Sequence, residues 1–371
     1  MNDKEKCCAR RKTSIGGQAL MEGIMMRGPE KNAMAVRRAN GEIFFEEKPN
    51  QKKKRPRVCR WPVIRGVFGF IDSLVIGYKA LMRSAEIAIE DEMAEEEKKK
   101  ADEAAEGAQN APEKSDAPVN EQAPVPEEKK AEEEKKSGFS KGAMAVIMVI
   151  ATVLGFALAI GLFIWLPSFL YNLIAKYTPA DWGLGENRYL RSVFEGILKI
   201  VVLVAYMALV SLMKDIRRTF MYHGAEHKTI FCYEKGMPLT VENVKKQSRF
   251  HPRCGTSFLI LMLLVSIVIG LFIPPTFEGI NPTLYTVIRA AIKLLLIPLT
   301  MGIGYELLKF AGKHENIVTR IISAPGMWLQ RITVKEPTDD MIECAIKAFV
   351  AVLPEEEREA EAAAQVENEQ E

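Results

Sequence analysis

Histidine is scarce in this chain of 371 residues. There are four, and three of them (His223, His227 and His251) fall within one short stretch. Signature loops for nucleotides are missing: there is no G-x-x-x-x-G-K-[ST] and no dinucleotide fingerprint. A strong net charge is missing too. The formal charge is +2, and the basic clusters lie where membrane topology requires them, so nucleic-acid binding is not called for. No apolar h-region follows the polar N-terminal MNDKEKCCARRK. A cleavable secretion signal is therefore not expected, and a first spanning helix would serve in its place.

What the chain has instead is long apolar runs. No charged residue occurs between Gly142 and Ala175, a length that crosses a bilayer, which needs about 20 apolar residues. Pro167 is expected to close this first span. A second runs near Val193–Met213, a third is uncharged over Gly255–Phe277, and a fourth lies near Tyr285–Leu308. Nine lysines and arginines separate spans two and three, among them Arg217, Arg218, Lys245 and Arg253. Such residues stay on the cytoplasmic side. The intervening loop and both termini are therefore expected inside the cell, where the six cysteines would remain reduced thiols. Glu195 and Lys199 in span two, and Arg289 and Lys293 in span four, share i, i+4 spacing. A Glu195–Arg289 pair between the helices would reduce the cost of both charges; snorkelling toward the outer headgroups is the alternative.

The remaining segments divide by composition. Residues 1–60 read as a β-rich cytoplasmic unit. GGQALMEGIMMRGP suggests a strand with bends, and AMAVRRANGEIFFEE a hairpin with Asn40-Gly41 as a type I′ turn. Residues 61–90 carry Arg65, Asp72 and Lys79 at seven-residue intervals. That suits an amphipathic helix on the inner membrane surface, drawn to anionic lipids by the basic run before it; a segment buried against the bundle competes. Residues 91–137 are mostly Glu, Lys, Ala and Pro and read as a disordered or partly helical linker. The membrane domain spans 138–310, with its histidine-rich loop at 214–255. A cytoplasmic segment follows over 311–354, with a helix starting at Thr338-Asp339, and then a disordered acidic tail over 355–371. The fold class expected is mainly α: a four-helix transmembrane bundle with a small β-containing N-terminal unit.

The chemistry concentrates in YHGAEHKTI. On a helix His223 and His227 lie one turn apart on one face, with Glu226 beside them. Two imidazoles and a carboxylate are what zinc or a similar divalent ion requires, two ligands and a base for bound water. The order H-x-x-E-H is that of the inverzincins, but five residues are a weak motif. RFHPRCGTSF adds His251 and Cys254, both suited to a borderline metal, and both pairs should lie at the inner membrane face. Glu306 is a further carboxylate at similar depth. His223, His227 and His251 with Cys254 or Glu306 would fill a tetrahedral site or leave one position open. A second chemical reading makes Cys254 a nucleophile with a histidine base, activated by Arg249 and Arg253. The plain alternative is a hydrogen-bonded cluster at a membrane boundary.

Together, GGQALMEGIMMRGP, YHGAEHKTI, LTVENV, HPRCGTSF and the YEL of span four resemble the YqhQ family of bacterial multi-pass membrane proteins, described as predicted metal-dependent enzymes. The resemblance covers nearly the whole chain outside the charged linker and the tail. It implies a plasma-membrane location and a functional group of His223, Glu226, His227, His251 and Cys254. Glu22 and Arg27 match its first motif, without an implied role. The expectation is a metal-dependent, hydrolase-like activity with Glu226 activating water. The alternative is a non-catalytic scaffold in which any ion ties the cytoplasmic loop to the bundle.

Overall fold

A computed structural model describes residues 13–50, 55–109, 141–179, 188–274, 281–314, 316–359 and 361. The chain is mainly helical with a small antiparallel sheet near its N-terminus, strand order β1-β2-β3-β4. The strands are β1 (Gly16–Leu20), β2 (Gly23–Arg27), β3 (Lys31–Arg37) and β4 (Ile43–Pro49). Alternation explains how the sheet is covered. Ile24, Met26, Ala33 and Ala35 point to one core, and Met25, Met34 and Val36 to another. Both faces are apolar because both are buried.

GGQALMEGIMMRGP is therefore two strands rather than one bent strand. They are joined by a two-residue turn in which Glu22 takes φ +50°. Nothing in Met-Glu announces such a turn. It is held from outside, because Glu22 accepts both Nε and Nη2 of Arg218. The β3–β4 turn also departs from expectation. Arg37 pairs with Ile43, and only Gly41, at φ +86°, is left-handed. Gly41 N–H donates to the Arg38 carbonyl at 2.9 Å and Arg38 N–H to that of Glu42 at 2.8 Å. This is a three-residue loop with one left-handed residue, not a type I′ turn, which needs two.

Among the described residues the main helices that follow are α1 (Ile64–Gln109), α2 (Lys141–Ile160), α3 (Leu166–Tyr177), α4 (Arg188–Val210), α5 (Lys214–Glu234), α6 (Val241–Lys245), α7 (Gly255–Gly270), α8 (Pro282–Leu295), α9 (Ile297–Lys313), α10 (Ile317–Thr333) and α11 (Asp339–Val352). Helix α1 covers one sheet face through Ile76, Ala80, Leu81 and Ile87. It also meets α9, where Gly66 rides over Tyr305 and Arg65 holds Glu306, Nε to Oε1 at 2.6 Å. Asp72, on the same face as Arg65, is paired with Arg55 at 2.6 Å. The charged stretch from residue 91 continues α1 as helix to Gln109, as strong helix formers with i, i+4 charge pairs allow. The rest of that stretch, residues 362–371 of the tail, and Cys7 and Cys8 lie outside the described residues. Cys59, Cys232, Cys254 and Cys344 are free thiols.

Among the described residues, two helices are long and apolar enough to cross a membrane, Val149–Tyr177 and Tyr189–Val210. Pro167 does not close the first. It sits in the first turn of α3, directly after a π-helical turn at Gly161–Trp165 that absorbs the irregularity. The fourth expected span is a pair, Val287–Leu295 and Ile297–Gly312, bent by 41°, with Pro298 in the first turn of α9 at the bend. The third, α7, has 16 residues, short of the roughly 20 that span a bilayer. The count by length and composition is two, or three with the bent pair, so a four-helix transmembrane bundle is more than this geometry supplies. Glu195 and Arg289 do meet, at 3.5 Å.

Helix α5 is separated from α4 by a turn at Ser211–Met213. It is wrapped on several sides. Tyr222, Ala225, Ile230, Cys232 and Tyr233 enter one core with α11 (Ile342, Ala345, Phe349) and the sheet. Its close approach to the strand-like segment before α11 requires Gly224, where a Cβ would lie 2.0 Å from the Lys335 carbonyl oxygen. Gly224→Ala is expected to cost about 1–3 kcal/mol, outweighing the gain of about 1 kcal/mol in helix propensity. A thermal unfolding midpoint equal to or above wild type in the same detergent would contradict this packing.

Candidate functional site

Three elements converge beside the middle of α5: α5 itself, the start of α7 and the end of α10. His223 and His227 stand one turn apart on α5, and their ring centroids are 4.4 Å apart. Cys254 is the N-cap of α7 and accepts from Thr256 N–H at 3.5 Å, a position where the helix dipole favours an anionic ligand. One ligand atom from each of His223, His227 and Cys254 lies within 4.8 Å of the others.

The outer nitrogens of the two imidazoles are fixed by backbone. His223 Nδ1 is 3.1 Å from the carbonyl oxygen of Thr333, at the end of α10. His227 Nδ1 is 2.5 Å from that of Arg249. Carbonyls only accept, so both Nδ1 atoms carry the proton and both Nε2 atoms present a lone pair. His223 Nε2 is 3.1 Å from Cys254 Sγ. His227 Nε2 is buried without a hydrogen-bond partner. Burial holds the His227 pKa below the ordinary histidine value, with Cys254 opposing, which keeps the ring neutral. An imidazole that donates one N–H to a carbonyl and turns its other nitrogen inward is arranged as metal ligands usually are.

His251 is close but differently set. Its ring centroid is 5.6 Å from that of His227. The backbone N–H of Arg253 donates to its Nδ1 at 3.3 Å. The proton therefore sits on Nε2, which faces Glu234 Oε2 at 3.7 Å. In this tautomer His251 shows the cluster no lone pair. Burial works to raise the Glu234 pKa, but His251 and Arg253 outweigh it and hold the carboxyl below its usual range.

Glu226 is 6% exposed, and its Oε1 accepts the backbone N–H of Gly17 at 2.8 Å. Burial raises its pKa above the ordinary carboxylate value, with His223 and the Gly17 N–H opposing. Gly17 has to be glycine here, since a Cβ would fall 2.9 Å from Glu226 Cδ and 2.8 Å from Met26 Sδ. Glu306 is not brought to the cluster; it is paired with Arg65. Arg249 and Arg253, the cations proposed to activate Cys254, are paired with Glu336 and Glu234.

Sequence reasoning missed Gly17, Thr333 and Glu234. The doubled glycine of GGQAL was the available signal for the first. A backbone carbonyl such as that of Thr333 leaves no signature in a sequence. In the first motif, Glu22 clamps Arg218, and Arg27 donates to Ser73 Oγ of α1 at 3.1 Å; both tie the sheet to its neighbours.

The fold and cluster define a mainly helical protein with helices long and apolar enough for a membrane and a His–His–Cys group, between the middle of α5 and the start of α7, that could hold a metal ion. The chain belongs to the family described as "Protein of unknown function (DUF1385)", which matches residues 61–355. It is 32% identical over 349 residues to "Uncharacterized protein YqhQ" of Bacillus subtilis (strain 168), with 92% of each chain covered, in agreement with the resemblance carried by the motifs. No solved structure matches.

Proposed function

We propose that this protein is a metal-dependent enzyme of hydrolase type at the cytoplasmic face of the plasma membrane, with His223, His227 and Cys254 as ligands of a divalent ion, zinc by ligand chemistry. The observation that carries the reading is the pair of carbonyl-fixed imidazoles whose Nε2 atoms turn toward one sulfur. Two nitrogens and one thiolate suit zinc. Three protein ligands leave a fourth position, and an ion held in this way supplies activated water at neutral pH. Glu226, buried with a raised pKa, is the group that takes and returns the proton. His251, oriented by Glu234, borders the centre and orients what enters it.

The membrane reading joins this one. Helix α7 packs against α4, α9 and α10, and a short central helix of that kind, with the bent α8–α9 pair, completes a four-helix membrane bundle. Both termini lie inside under this reading.

The test is metal-stripped protein reloaded with zinc and assayed against ester and phosphoester substrates. Activity should return with zinc. It should fall about a hundredfold or more in Glu226→Gln, which keeps its ion. Gly17→Ala, which displaces the Glu226 carboxylate but touches no ligand, should keep zinc and lose about tenfold or more. Zinc that binds stoichiometrically with no activity in wild type on any such substrate would support the non-catalytic scaffold instead.

A further inference from the structure

Helix α10 is amphipathic in the opposite sense to a helix in water. Thr319, Ser323, Gln330 and Thr333 are buried, whereas Ile317, Ile321 and Trp328 are 73%, 69% and 52% exposed. Thr319, Gln330 and Thr333 have hydrogen-bond partners. Gln330 receives the His251 N–H and donates to the His251 carbonyl, both at 2.8 Å, and Thr319 closes a capping box with Asn316. Gly326 allows this face to press on α7, where a Cβ would fall 2.4 Å from Ser257. Leu329 is buried as well, and Arg320 and Arg331 are exposed, so the outward face is apolar with two guanidinium groups, a pattern matched to the boundary between hydrocarbon and headgroups.

Beside that outward face is an open cleft of about 1280 Å³. Ile321 and Trp328 form an apolar wall, Arg320 and Arg331 project from the same helix, and His251, Glu234 and Arg253 lie along its other side. Glu234 is the one carboxylate among the described lining residues, and it is taken by Arg253 and His251. Arg320 and Arg331 are exposed, and neither forms an ion pair among the described residues. A cleft with surplus guanidinium charge continuous with an apolar wall is complementary to a molecule that has an anionic head and a hydrocarbon tail.

We propose that this cleft binds the phosphate-bearing headgroup of a membrane lipid, with the acyl chains along Ile321 and Trp328 and the phosphate on Arg320 and Arg331. The binding claim stands without a metal. That this lipid is also the substrate rests on the proposed metal-dependent reading, because His251 borders both the cleft and the cluster.

The probe is the full-length protein with Trp328 as its one tryptophan (Trp61, Trp165 and Trp182 changed to Phe), reconstituted in bilayers containing brominated phosphatidylglycerol or brominated phosphatidylcholine. Brominated phosphatidylglycerol should quench Trp328 more strongly than brominated phosphatidylcholine at equal fraction. The preference should drop about fivefold for each of Arg320→Gln and Arg331→Gln. Inorganic phosphate should not reverse it. Absence of quenching, equal quenching by the two lipids, or reversal by inorganic phosphate would each overturn the proposal. If the triple-Phe background does not fold, lipid co-purifying with wild type and with the Arg320→Gln/Arg331→Gln variant, weighed by native mass spectrometry, gives the same comparison. Zinc content read on the same samples separates the two claims, since selective quenching without zinc removes only the metal reading, and zinc without selective quenching removes only the lipid.

Discussion

His227→Ala should purify with its zinc reduced from about one ion per chain to a small fraction of that. The ring it removes is 1% exposed, has its Nδ1 committed to the Arg249 carbonyl, and points its unpartnered Nε2 into the cluster. Losing one of three ligands leaves His223 and Cys254, which cannot hold the ion alone. The effect should be specific. His251→Ala should keep its ion, because the proton that Arg253 N–H places on Nε2 leaves that ring without a lone pair toward the cluster. Equal zinc loss in the two variants would mean that His251 is a ligand. Equal retention in both would mean that neither is. Elemental analysis of gently extracted wild type and both variants, with secondary structure checked by circular dichroism, makes the comparison.

Glu195→Gln should destabilise the membrane region more than any other single change considered for it, by about 3–5 kcal/mol. Glu195 is 2% exposed and stands among cations. Arg191 Nε is 3.1 Å away and Arg289 Nη2 3.5 Å, Lys293 is in direct contact, and Ser168 donates to it at 3.1 Å. Glutamine keeps the shape and the hydrogen-bond acceptor but removes the charge, leaving buried cations uncompensated. Removing a cation as well should therefore recover part of the loss: Glu195→Gln with Lys293→Met should melt higher than Glu195→Gln alone. Thermal unfolding in one detergent, followed by the monodisperse fraction remaining, reads both. A single variant as stable as wild type would show that these cations do not depend on Glu195.

Much of this arrangement was legible where local chemistry fixes it. The helix starting after Thr338, the strands either side of Asn40-Gly41, and the proximity of Glu195 to Arg289 follow from an acidic first turn with apolar periodicity, from alternation and from charge spacing. The gathering of His223, His227 and Cys254 was legible because both short motifs lie between the same two apolar runs; the two histidines sit midway along α5 and Cys254 caps α7. What stayed hidden depends on distant partners. The sequence puts Glu306 near the end of an apolar run, as it does the cluster, yet Arg65, far upstream, takes it. His251 lies near the cluster, yet its tautomer is set by the backbone of Arg253. The β1–β2 turn carries no turn residues, because Arg218 on α5 holds Glu22 in its left-handed conformation. The third span differs from its expected length. The apolar run after Gly255 is long enough to cross a bilayer, but α7 ends at Gly270.

The most direct measurement on the proposed centre is X-ray absorption at the zinc edge of the purified, active-form protein. One sulfur at about 2.3 Å and two imidazole nitrogens at about 2.0–2.1 Å are expected, with the sulfur shell absent in Cys254→Ser. A shell of nitrogen and oxygen alone in wild type, or a sulfur shell that survives Cys254→Ser, would contradict it.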